Sequence, residues 1–137
     1  MKKYKVCVYA ICKNEEKFVD RWFNSMKEAD EIYVLDTGST DNSIKLLKEK
    51  GVHVKQKKIN PWRFDVARNI SLDMVPNDAD ICVCTDLDEV FLKGWREKLE
   101  NVWRKDVNRC RYTYNWSLDE NDNPKVSFIY EKIHSRN

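Results

Sequence analysis

Residues 81–90 read ICVCTDLDEV. Ile81 to Cys84 form an apolar run that suits a strand entering an interior, and three carboxylates follow within four positions: Asp86, Asp88 and Glu89. Like charges crowded at the exit of a buried strand repel one another unless water, hydrogen bonds or a cation offset them. If the chain is still extended at Leu87, Asp86 and Asp88 share one face, roughly 6–7 Å apart along the backbone. Hard carboxylate oxygens at that spacing suit Mg2+ or Mn2+, which a diphosphate can share. A solvated acidic turn ahead of the next helix is the plainer alternative.

Outward from this stretch the pattern alternates strand with helix. KVCVYA (5–10) reads as a first strand, and Asn14 is placed to cap a helix whose Phe18, Val19, Trp22, Phe23 and Met26 fall at helical spacing. EIYVLD (31–36) is a second strand. TGSTDNS (37–43) is turn chemistry leading into a short helix, with Ile44 and Leu47 facing inward and Gly51 as its stop. VHVKQ (52–56) is short and basic, which suits an edge strand. Pro61-Trp62 opens a third helix marked by Phe64, Ala67, Ile70 and Met74, and Pro76 ends it. Residues 81–86 make the fourth strand, and WREKLENVW (95–103) a fourth helix. The rhythm then changes: RCRYTYNW (109–116) and KVSFIY (125–130) alternate polar with apolar on either side of a turn, as in a β-hairpin. Strands separated by helices imply a mostly parallel sheet covered on both faces, with ligands beyond the carboxyl ends of its strands. CKNEE, DTGSTD and DLDE all follow such ends.

Composition narrows the function classes. The chain has 137 residues, enough for one domain that buries about two thirds of its unfolded surface. A hydrophobic content of 42% with 35% charged residues indicates a globular protein over a disordered one. A net charge of only +2, with no basic arm, gives no expectation of nucleic-acid binding. No segment approaches the roughly 20 apolar residues of a membrane helix. Cys7, Cys12, Cys82, Cys84 and Cys110 form no CxxC pair, and free buried thiols in a reducing cytoplasm are expected. Cys82 and Cys84 should share one face of their strand.

Two further constellations lie at the strand ends. In LDTGSTDNS, Asp36 closes a strand, Gly38 permits an open tight turn, and Ser39, Thr40 and Asp41 offer helix caps. A carboxylate there can accept from a nucleobase or a ribose, though an ordinary strand-to-helix turn looks the same. Arg68 stands in a helix otherwise apolar on one side, where a guanidinium can clamp phosphate or simply face solvent.

AICKNEE (10–16), EIYVLDTGSTDNS (31–43), WRFDVARNISL (62–72) and ICVCTDLDEVF (81–91), in that order and spacing, resemble a family 2 glycosyltransferase with the GT-A fold. The resemblance covers about residues 5–105. It implies an α/β, GT-A-like nucleotide-diphospho-sugar transferase fold over 1–137, with 1–105 the nucleotide-sugar-binding part and 106–137 the start of an acceptor-side part. It also implies that Asn14 and Glu15 lie against the nucleoside, that Asp36 contacts the base, and that Arg68 sits by the diphosphate. Asp86 would face the ribose or a metal-bound water, and Asp88 would coordinate Mn2+ or Mg2+ directly. The implied activity is sugar transfer from a nucleotide sugar, a UDP-sugar more commonly than a GDP-sugar, to a glycan, lipid or protein acceptor, normally with inversion.

The C-terminal segment adds less. Family members carry the base that deprotonates the acceptor well downstream of the metal motif, so it is expected beyond Asn137, and the catalytic residue is unassigned. Asp119, Glu120 and Glu131 lie in no recognisable motif. His134 is a candidate third metal ligand, since imidazole suits Mn2+. Trp116 is the tryptophan best placed to stack on a sugar, whereas Trp22, Trp95 and Trp103 read as packing. DENDNP (119–124) is no calcium loop, because Pro124 stands where glycine is required and Tyr130 where a glutamate belongs. Two alternatives remain: a nucleotide-sugar-binding fragment without complete catalytic machinery, and a glycoside hydrolase using an acid pair about 5–10 Å apart. Length disfavours the second, since a barrel hydrolase needs about 250 residues.

Overall fold

A computed structural model describes residues 4–118, 121 and 124–136, with 114–118 and 124–131 described as backbone only. The element order is β1 (Val6–Cys12), α1 (Glu16–Met26), β2 (Glu31–Asp36), α2 (Ser43–Glu49), β3 (His53–Gln56), α3 (Phe64–Asp73), β4 (Ile81–Cys84), α4 (Trp95–Val102), β5 (Arg109–Leu118) and β6 (Pro124–Ser135). They build a six-stranded sheet in the order β3-β2-β1-β4-β6-β5. The first four strands in that order are mutually parallel, and β6 and β5 join antiparallel. The basic strand β3 lies at an edge, as its composition suggests.

Period-two alternation divides the core between the two faces. Val6, Val8, Ala10 and Cys12 of β1 point to one side, where they meet Val19, Trp22 and Met26 of α1, Leu47 of α2, and Trp95 and Leu99 of α4. Cys7 and Tyr9 point to the other, with Cys82 and Cys84 of β4 and with Leu72 and Val75 at the end of α3. Cys82 and Cys84 thus share a face, and all five cysteines are free thiols. Burial raises the thiols of Cys7 and Cys12 to about 12 and that of Cys82 to about 11, so at neutral pH they behave as small apolar groups.

Helix α1 buries Val19, Trp22 and Met26 of the stripe expected of it, with Trp22 fully enclosed, while Phe18 and Phe23 are only partly buried. In α3 the expected stripe is corrected. Ala67 and Ser71 are its buried residues, while Phe64 is 55% exposed. The Phe64 ring lies instead under the Arg68 guanidinium, 4.7 Å from ring centre to carbon. The hairpin forms as expected, but β6 inserts between β4 and β5, so it continues the main sheet. Asp119 and Glu120, and the side chains of Trp116 and Glu131, lie outside the described residues.

At the amino ends of the strands Arg96 forms a buried hub. Its guanidinium donates to the Tyr4 carbonyl at 2.8 Å, the Glu28 carbonyl at 2.9 Å, Asp30 Oδ2 at 2.8 Å and Glu100 Oε1 at 3.3 Å. Glu28 in turn accepts the Gly94 and Arg96 N–H groups at the start of α4. The sheet is thereby closed at the edge opposite the loops that carry Asn14, Asp36 and Asp86.

Candidate functional site

The loops after β1, β2 and β4 leave the same edge of the sheet, because these three parallel strands are adjacent. Two of the loops are stitched together. Asn14 has a φ of +53°, a conformation asparagine tolerates better than most residues. That geometry turns its side chain away from capping α1, contrary to the sequence expectation. Asn14 Oδ1 accepts the Thr40 N–H at 2.7 Å and the Asp41 N–H at 3.3 Å, and its own N–H donates to Ser39 Oγ at 2.8 Å. The Glu15 N–H donates to Ser43 Oγ at 2.9 Å. Glu16 and Asp41 complete the stitch: Asp41 Oδ2 accepts the Glu16 N–H, and Glu16 Oε2 accepts the Asn42 N–H.

Asp36 is 1% exposed. Its Oδ1 accepts the N–H groups of Gly38 and Ser39, and its Oδ2 accepts the Ser39 hydroxyl at 2.5 Å. Little carboxylate surface is left for a ligand, so Asp36 shapes the 37–41 loop from beneath.

The strand β4 stops at Cys84, and Asp86–Glu89 is a turn closed by the Glu89 N–H donating to the Asp86 carbonyl at 3.0 Å. The extended geometry expected across Leu87 is therefore corrected. Leu87 is fully buried and draws the turn inward, while Asp88 and about half of Asp86 face solvent. Opposite them Glu15 is half-buried, and its carboxyl is pushed above the usual range by burial and then by the charges of Asp88 and Asp86. Three carboxylates from two loops thus feel one another at this edge.

Two cations offset them. Arg68 places Nη2 4.0 Å from Asp86 Oδ1, and its Nη1 contacts Cys84 Sγ. Lys132 of β6 places Nζ 3.7 Å from Asp86 Oδ2 and 3.2 Å from Glu89 Oε1. Glu89 is buried, and the same oxygen accepts the Asp86 N–H at 2.7 Å. Arg21 of α1 donates to the Asp88 carbonyl at 3.1 Å.

Sequence reasoning gave Glu89 no role of its own and missed Lys132 and Arg21. Glu89 was visible as the third acid of DLDE, but nothing local marks a lysine 43 positions further on. His134 takes no part in this group. Its Nδ1 lies 2.7 Å from the Ser135 carbonyl, which only accepts, so Nδ1 carries the proton and Nε2 accepts the Tyr9 hydroxyl at 2.7 Å. Both ring nitrogens are engaged, and His134 pairs with Cys82, four residues before Asp86. The expectation of a third metal ligand there is withdrawn.

Among the described residues, no cluster of three or more His, Cys, Asp or Glu forms a ready metal cage. Two solvent-facing hard-oxygen donors, Asp86 and Asp88, nonetheless fit Mg2+ or Mn2+, since such ions take one or two carboxylates and fill the rest of their shell with water and substrate phosphate.

The fold of this chain has counterparts among known proteins. The family model described as Glycosyl transferase family 2 matches residues 7–136, nearly the whole chain. The chain belongs to that family. Uncharacterised glycosyltransferases of Rickettsia bellii and Rickettsia typhi are relatives of this family 2 chain, 29% identical over 109 residues and 31% over 110. Each alignment covers 79% of the chain and 35% or 36% of the relative, so the chain spans about a third of their length. Glucosyl-3-phosphoglycerate synthase from Mycobacterium tuberculosis, in complex with UDP, superimposes with a TM-score of 0.54 at 25% identity, covering 64% of this chain and 35% of the synthase. TarS of S. aureus gives a TM-score of 0.59 at 20% identity over 71% of this chain and 31% of its own. The fold of this family 2 chain is GT-A. The hydrolase alternative finds no support in the family or the sheet. No helix among the described residues is long and apolar enough to cross a membrane.

Proposed function

We propose that this chain works as a metal-dependent glycosyltransferase, taking a sugar from a UDP-sugar to an acceptor hydroxyl with inversion. The observation that carries this reading is the meeting of Glu15, Arg68, Asp86 and Asp88 at the carboxyl edge of the parallel strands. Structures of the Mycobacterium tuberculosis synthase, at 25% identity, hold Mn2+ with UDP or with UDP-glucose and so support both the nucleotide and the metal.

In this reading the stitched loops of Asn14 and Glu15 and of residues 37–41 form the floor for the nucleoside. Asp36 serves the base by holding that floor in shape. Arg68 faces the diphosphate. Asp86 and Asp88 hold the divalent ion, which when bound neutralises diphosphate charge and so eases departure of the leaving group. In the transfer, the bond from the sugar C1 to the diphosphate oxygen breaks while the acceptor oxygen bonds C1 from the opposite face. The acceptor's proton passes to a base, which is assigned to none of the described residues. Residues 106–137 begin the acceptor side, and a glycan, lipid or protein acceptor suits the reading equally. A cytoplasmic location belongs to this reading, and the five free cysteines support it.

Calorimetric titration of UDP with and without Mn2+ tests this reading. Binding that requires the metal and is lost in Asp88→Ala is expected. UDP binding that ignores both the metal and the substitution overturns it. Turnover of UDP-sugars against mixed acceptors then separates a transferase from a domain that only binds the donor.

A further inference from the structure

Lys132 meets Glu89 closely and Asp86 more loosely. It lies 3.2 Å from Glu89 Oε1, within hydrogen-bond reach, and 3.7 Å from Asp86 Oδ2, beyond it. Glu89 cannot yield easily: its side chain is 4% exposed, and the oxygen that meets Lys132 also accepts the Asp86 N–H. Asp86, in contrast, has a side chain 47% exposed. With Arg68 4.0 Å from Oδ1, each oxygen of Asp86 faces a cation. A divalent ion on Asp86 would sit about 2.1 Å from a carboxylate oxygen, which brings it within a few ångströms of the Lys132 ammonium. Like charges that close repel, unless added negative charge arrives with the metal. A diphosphate supplies that charge, and the long lysine stem can swing toward it while remaining near Glu89.

We propose that Lys132 is a built-in counter-ion that keeps a divalent cation off Asp86 until a nucleoside diphosphate arrives with it, and then passes from Asp86 to the phosphates. This rests on the metal-dependent sugar-transfer reading and adds an order of assembly to it. Lys132 is thus a positioning residue for the metal site.

The test uses Mn2+ alone, titrated into wild-type protein, Lys132→Met and Lys132→Gln, with free Mn2+ followed by electron paramagnetic resonance. UDP is then titrated at saturating Mn2+. Both variants should bind Mn2+ alone about tenfold tighter, the order expected when one ammonium near a divalent ion is removed in a well-solvated site. Both should bind UDP with Mn2+ more weakly than wild type. The glutamine variant keeps a polar group against Glu89, so the question stays decidable if the methionine variant folds poorly. Unchanged or weakened affinity for Mn2+ alone, in a protein whose wild type takes up UDP with Mn2+, overturns the counter-ion role and leaves the sugar-transfer reading standing. A wild type that takes up no UDP with Mn2+ overturns that reading and the handover with it.

Discussion

Trp22 and Thr85 are joined across the core: the indole Nε1 donates to Thr85 Oγ1 at 2.9 Å, with both residues fully buried. Thr85 directly precedes Asp86, so a fully buried residue of α1 fixes where the acidic turn leaves the sheet. Thr85→Val preserves shape but leaves a buried indole N–H without its acceptor, which costs about 1–3 kcal/mol. Urea denaturation should show a lower midpoint at an unchanged slope. UDP binding with Mn2+ should also weaken, because the turn loses its fixed origin. A midpoint equal to that of wild type is the contrary result.

Arg96 permits a prediction that leaves the site untouched. Its guanidinium ties Tyr4, Glu28, Asp30 and Glu100 at the far edge of the sheet. Arg96→Met strands carboxylates that were paired with a buried cation, and breaking such a pair costs about 3–5 kcal/mol. Arg96→Lys keeps the charge but cannot span four acceptors, and it should fall between methionine and wild type in thermal melts. At a temperature where the lysine variant is folded, its UDP affinity should match wild type. A selective loss of affinity there would mean the hub communicates with the opposite edge.

The sheet was legible because strand and helix have different periods, and the placement of acids after β2 and β4 was legible because parallel strands share an exit edge. The turn at Asp86–Glu89 was not, since DLDE fits both an extended strand and a tight bend. Burial of Leu87 decides between them, and that is a tertiary fact. Asp36 was ambiguous in a similar way: a carboxylate at a strand end can face a ligand or hold its own loop, and the sequence does not show its hydrogen bonds to Gly38 and Ser39. Lys132 and Arg96 lay beyond reach because their partners are distant in sequence, 43 positions for Lys132 with Glu89 and 66 for Arg96 with Asp30.

Glu31 should govern part of the acid sensitivity. Its carboxyl is held below the usual range by the hydrogen bond from Lys5, with Nζ at 2.8 Å from Oε1, and by the Tyr33 hydroxyl at 2.8 Å from Oε2. A carboxyl with a lowered folded-state pKa binds fewer protons in the folded protein than in the unfolded chain. Its stabilising contribution is therefore complete above the unfolded value of 4.5 and is lost as pH falls through the lower folded value. Glu31→Gln should lower stability at neutral pH and flatten the decline below about pH 4.5. Thermal melts from pH 7 downward should show the two curves converging in acid. Parallel curves would assign the acid sensitivity elsewhere.

Asn14 holds the loops after β1 and β2 together from a backbone conformation with φ of +53°. Asn14→Gly keeps that conformation accessible but removes the side-chain acceptor for Thr40 and Asp41. Asn14→Ala removes the acceptor and adds a left-handed strain of about 1–2 kcal/mol. Glycine's freer unfolded chain offsets part of that difference, so alanine should be the less stable variant by under about 1 kcal/mol. If the stitched loops form the nucleoside floor, both variants should lose UDP affinity by a similar factor, since both lose the same hydrogen bonds. Affinity that instead tracks stability, with glycine near wild type and alanine impaired, would mean that backbone shape forms the floor and the Asn14 side chain only braces it. The two substitutions compared in one UDP titration with Mn2+ therefore separate the hydrogen bond from the conformation.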